Sequence, residues 1–273
     1  SPAALRRTFL ATVLHHWVRL DFDPEVLTRM LLRGTSDPDA QRLVALAMQR
    51  ARLWQEAVLG WDRYLTAMVG SGAWPATGRE ASRVLLHMAE LIPSDLGEVL
   101  GAFDAESEED LCSLIRAKVL PACFDRAGLL ERARAADPDP RVFRALVAHY
   151  EQRQPKRAES EAEAWRRVHP RDIEPLLYLM RAAERRGALR KALGLLADAE
   201  SIDGVHPVVR QSRFRLLLAS AERRIREGKP GLARTDLECL ERESKAGEGD
   251  RVGYLLALRW AAARRAGDAP GAA

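Results

Sequence analysis

The chain has 273 residues, 47% of them hydrophobic and 30% charged, and a formal net charge of +4. That balance is enough to bury a core, and it excludes both a disordered chain and a membrane-embedded one. Cys112, Cys123 and Cys239 are an odd number at wide spacing, which fits neither a disulfide framework nor paired zinc ligands and implies a reducing, cytoplasmic setting.

The chain opens on Ser1-Pro2 without a methionine, as a piece cut from a longer protein does. Arg6 and Arg7 precede an apolar stretch, but His15 and His16 interrupt it and no small-residue cleavage site follows. No stretch approaches the roughly 20 uninterrupted apolar residues of a membrane helix, so no membrane partner is expected. Apolar residues recur at steps of three and four almost everywhere, and no sustained alternation suggests a strand.

Asp37-Pro38-Asp39 carries the acceptor side chain and early carboxylate of a helix start. A second helix follows with Trp54, Ala57, Val58, Trp61, Tyr64, Leu65 and Met68 on one side. Residues 1–68 therefore form an N-terminal helical segment, and the glycines and proline within 69–78 mark a linker loop. Residues 79–136 are helical but irregular: Ser94 and Ser107 open helices, while Gly97, Gly101, Pro121 and Gly128 disturb the rhythm. Asp137-Pro138-Asp139-Pro140 then starts a regular array over 137–266. Phe143, Leu146, Val147 and Tyr150 share one face, as do Leu176, Leu179, Met180 and Ala183, and then Leu189, Ala192, Leu193, Leu196 and Ala199. Gly187, Gly228 and Gly267 sit where helices stop, because glycine takes the left-handed cap at little cost. The tail 267–273 reads as a frayed end.

Val168-His169-Pro170 returns thirty-seven positions later as Val205-His206-Pro207. Proline cannot continue a helix but is tolerated in the first turn of a new one, so each copy reads as punctuation between units. Within 173–206, Gly187 at a turn, then Ala192, Leu196 and Ala199, resemble the tetratricopeptide repeat, a 34-residue helix-turn-helix unit. Ala45, Ala57 and Trp61 take matching places in an earlier unit, and Ala158, Ala162, Trp165 and Pro170 in the unit from 139 to 170. A looser match surrounds Gly228, Ala233 and Leu237. The resemblance implies an all-α fold, a right-handed superhelical array of antiparallel helix hairpins. It also implies a concave face lined by the first helix of each unit, which places Phe143, Val147, Tyr150, Leu177, Arg181, Glu184 and Arg185 against a partner. Such a lining suits an extended or helical peptide with acidic and apolar groups.

Catalytic chemistry finds no support in the pattern. Histidines one repeat apart stand too far apart to share an ion, His15 and His16 point in different directions, and His87 and His149 lie alone on helical segments. Cys112 and Cys123 sit in apolar helical pattern without a neighbouring base, which is the setting of an inert thiol. No catalytic residue, metal or cofactor is expected. Residues 1–136 hold 16 Lys and Arg against 18 Asp and Glu, and residues 137–273 hold 27 against 21. The basic half is almost entirely arginine, so a nucleic-acid-binding array is the alternative to a protein-binding scaffold, and the regulatory arm of a larger enzyme is a third. Arg181 and Arg185, a turn apart, are expected to meet acidic groups of a partner, with reversal of Arg223 and Arg224, late in a different helix, as a control of equal charge change.

Overall fold

The computed structural model describes residues 37–93, 122–243, 258–264 and 267, and these residues form helices and turns with no strand. Named in chain order, the helices are α1 (Pro38–Arg50), α2 (Trp54–Gly70), α3 (Arg79–Leu91), α4 (Arg126–Ala136) and α5 (Pro140–Glu151). They continue as α6 (Pro155–Val168), α7 (Glu174–Arg185), α8 (Leu189–Asp203), α9 (Pro207–Arg226) and α10 (Pro230–Glu243). A 3-10 turn, Ala122–Phe124, precedes α4. None of these helices is long and apolar enough to cross a membrane. The expectations for His15, His16, Ser94, Gly97, Gly101, Ser107, Cys112, Pro121 and the tail beyond Gly267 lie outside the described residues.

The chain divides into two compact units, residues 1–158 and 159–273. In the first, α1 packs on α2, α2 on α3, α3 on α4 and α4 on α5. Asp37 caps α1 by accepting the Asp39 amide at 3.3 Å, with Pro38 in the first turn where its missing N–H costs nothing. Asp139 does the same for α5, accepting the Arg141 amide at 2.9 Å ahead of Pro140. The two Asp-Pro-Asp segments are therefore used in different registers: the first Asp caps at Asp37, the last at Asp139. The α1–α2 crossing is tight because small residues meet there. A Cβ placed on Gly60 would lie 2.9 Å from that of Ala45. Val44, Met48 and Ala57 fill the buried centre beside it. Farther along, Ser82 of α3 donates to the carbonyl oxygen of Ala133 at 2.8 Å, tying α3 to the end of α4.

In the second unit α7 packs on α8, α8 on α9 and α9 on α10. Leu176, Leu179, Met180 and Ala183 of α7 are buried, as are Ala192, Leu196 and Ala199 of α8. The α7–α8 turn closes through Gly187 at φ 70°, and Gly228 at φ 74° does the same between α9 and α10. Ala221, Ile225, Ala233, Leu237, Leu240 and Ala262 form a further cluster, which brings the helical residues 258–264 onto α9 and α10. Both Val-His-Pro copies punctuate, but differently. His206 caps α9 directly, its Nδ1 accepting the Val208 amide at 3.3 Å, whereas His169 and Pro170 lie in the turn before α7. There Asp172 takes over: one carboxylate oxygen accepts the Glu174 amide and the other the indole N–H of buried Trp165, both at 3.0 Å.

Candidate functional site

The apolar residues of α7 turn inward at steps of three and four, so the positions between them are left to solvent. Arg181 and Arg185 occupy that face one turn apart, and both are exposed. Arg181 folds back on its own helix, its Nε donating to the Leu177 carbonyl oxygen at 3.1 Å. Glu184 is half-buried and answers a cation of the same unit. Its two carboxylate oxygens accept from Nε and Nη2 of Arg215 on α9, each at 2.8 Å. Arg223 of α9 also reaches the carbonyl oxygen of Gly187, at 3.4 Å. These bonds set α7 and α9 side by side. Arg166 of α6 and Asp198 of α8 are likewise paired, at 2.8 Å. Sequence reasoning missed Arg215, 31 positions on, as the partner of Glu184.

Several other cations of this unit are met from within it. Arg213 pairs with Glu200 at 3.1 Å, Arg223 with Glu227 at 2.7 Å, and Lys229 with Glu227 at 3.1 Å. The two cations hold the Glu227 carboxyl below its usual range, chiefly through the hydrogen bond from Arg223. Arg224 binds Oδ1 of buried Asp236 at 2.8 Å and the carbonyl oxygen of Leu232 at 2.9 Å. Arg223 and Arg224 are thus held in bonds within the unit, so reversing their charge would disturb the packing and they do not serve as a control for Arg181 and Arg185. Their carbonyl and carboxylate partners become visible only once α9 and α10 are packed.

The remaining predicted contacts are placed inside. Phe143, Val147 and Tyr150 of α5 are buried in the first unit, and Leu177 of α7 is buried in the second. The Tyr150 hydroxyl donates to Glu131 at 3.0 Å, and the Arg157 guanidinium lies 4.2 Å above the Tyr150 ring while also pairing with Glu131. These four side chains hold helices together and offer a partner no open face. A face that steps apolar at three and four is by that fact the one that packs, which is why these side chains are buried. Of the seven, Arg181, Arg185 and in part Glu184 remain accessible.

The groups considered for chemistry are embedded. Burial pushes the Cys123 thiol up to about 11, with the nearby Asp62 carboxylate adding to the effect, so no thiolate forms near neutral pH. Burial lowers His87, whose Nε2 meets the Gln49 side-chain oxygen at 2.9 Å and whose ring stands edge-on to Trp61. Burial also lowers His149, and Arg126 and Arg153 act in the same direction. Among the described residues no group of three or more His, Cys, Asp or Glu is placed to hold a metal ion. Neither a protein-family model nor a curated protein matches the chain significantly, and the functional reading rests on the geometry above.

Proposed function

We propose that this chain is an array of tetratricopeptide-like hairpins serving as a non-catalytic scaffold, which receives an acidic segment of another protein over the exposed face of α7. The observation that carries the reading is the period of the helix starts. The first helices α5, α7 and α9 begin at Pro140, Glu174 and Pro207, and the second helices α6 and α8 at Pro155 and Leu189. Those steps are 34, 33 and 34 residues, the length of the repeat. The caps of α1 and α5, Asp37 and Asp139, stand 102 positions apart, three such lengths. Ion pairs between residues about one period apart, Glu184 with Arg215 and Arg166 with Asp198, are what stacked hairpins produce.

Arg181 and Arg185, exposed a turn apart on one face of α7, supply the recognition in this reading. Acidic residues interleaved with the arginines, such as Glu159, Glu161 and Glu163, favour a protein partner over nucleic acid. The experiment is capture of partners by the full chain, followed by calorimetric titration of the recovered protein. Arg181→Glu/Arg185→Glu should weaken binding more than tenfold, while Arg190→Glu/Lys191→Glu, two exposed cations at the start of α8, should change it little. Equal losses in the two variants, or a steep salt dependence with labelled RNA, would transfer the reading to nucleic acid.

A further inference from the structure

In the first unit the C-terminal half of α2, the loop after it and the ends of α3 and α4 enclose an open cleft of about 510 Å³. Leu65 and Val69 of α2 and Leu85 of α3 form its apolar walls. The room comes from small residues: Ala81 at the start of α3 and Ala135 and Ala136 at the end of α4 stand where larger side chains would fill the space. Volumes of ~300–1,000 Å³ with apolar walls and a few polar groups are typical of small-molecule sites. The hydroxyls of Thr66 and Thr77 are two polar groups of the lining, and Arg132 is its single charged side chain among the described residues.

We propose that this cleft binds a small amphiphilic monocarboxylate, an acid of medium aliphatic chain, with the chain against Leu65, Val69 and Leu85 and the carboxylate on the guanidinium of Arg132. Apolar walls with one cation at their edge select a molecule with one apolar body and one anionic end. A planar guanidinium meets a carboxylate through two parallel hydrogen bonds, which fixes the orientation of the ligand. The charge of the ligand is limited by Asp62, one turn before Thr66 on α2. Burial pushes the Asp62 carboxyl upward and Arg132 pulls it back, so the two groups feel each other. With a carboxylate already near the single cation, a monoanion is accommodated and a dianion such as a phosphate monoester is repelled.

The test is calorimetric titration of the full chain with octanoate, octanamide and octyl phosphate. Octanoate should bind saturably at one site, at least tenfold more tightly than the other two. Arg132→Gln should remove that advantage over octanamide, and Arg132→Lys should keep part of it. Ala135 is exposed at the edge of the cleft, so Ala135→Trp should block octanoate while leaving the melting temperature near that of the wild type. The proposal is overturned if octanamide binds as well as octanoate, if octyl phosphate binds more tightly, if Ala135→Trp folds and leaves octanoate affinity unchanged, or if no saturable binding occurs.

Discussion

Arg52 holds φ at 63° between α1 and α2, the one non-glycine residue in the left-handed region among those described. That conformation crowds a Cβ against the following carbonyl, so Arg52→Gly should raise stability by ~1 kcal/mol. Gly187 has the same φ and open space around it, so Gly187→Ala tests the backbone term alone and should lower stability by ~1–2 kcal/mol. Urea midpoints for the two variants should move in opposite directions; a shift in the same direction would contradict this account of the turns. Asp139 offers a second residue-level test. The hydrogen bond from Arg141 holds its carboxyl below the usual range, and the Arg141 amide acts in the same direction. A carboxyl depressed in the folded state stabilises above its unfolded value of ~3.9 and loses that contribution as pH falls through the lower folded value. Asp139→Ala should therefore cost ~1 kcal/mol at pH 7 and progressively less as pH falls through the folded value, read as the difference from wild type in matched denaturant titrations.

At the scale of the helix, alanine and glycine set how closely neighbours approach. Ala57 and Ala192 are fully buried, so Ala57→Leu and Ala192→Leu should each destabilise by ~1–3 kcal/mol through overpacking. Gly60→Ala pits two effects against each other: alanine favours the helix by ~1 kcal/mol, but its Cβ would meet the Cβ and backbone of Ala45. Backbone cannot give way as a flexible side-chain end can, so the net effect should be a loss of stability. A gain would mean that the α1–α2 crossing relaxes freely. The α9–α10 pair depends on polar bonds as well, since one Asp236 oxygen binds Arg224 and the other, Oδ2, is buried without a hydrogen-bond partner. Arg224→Ala should cost ~1–3 kcal/mol by stranding that carboxylate, far more than Arg190→Ala on an exposed face. Comparable midpoints for these two variants would show that the Arg224 bond contributes little.

At the scale of the whole molecule, far-UV circular dichroism should be dominated by helix, as the described residues are. The proposed array makes a stronger claim, because a repeat protein tolerates removal of one complete period. Deletion of residues 173–206 takes out α7, α8 and the turn before α9, and should leave a chain that melts cooperatively at a lower temperature. Deletion of residues 181–197, about half that length, joins unlike helix faces and should abolish cooperative melting. Similar melting behaviour in the two deletions would remove the periodic reading.

Local rules were legible in the sequence wherever one residue's own chemistry decides the outcome. Asp37 as a cap, Gly187 and Gly228 as left-handed stops, and Ala57, Ala192, Leu196 and Ala199 as buried positions follow from hydrogen-bonding capacity, the missing Cβ and a 3.6-residue period. Arg52 escaped the same reasoning because arginine has no preference for that conformation; the turn imposes it. Pairings between helices were hidden for a different reason. Nothing local to Glu184 points to Arg215, or local to Arg224 to Asp236, because these distances are set by how the helices pack. The same packing buried Phe143, Val147, Tyr150 and Leu177 and left Arg181 and Arg185 outside. Amphipathic spacing determines which face of a helix seeks cover, whereas the neighbouring helix decides which side chains remain for a partner and which small residues leave a cleft open beside Arg132.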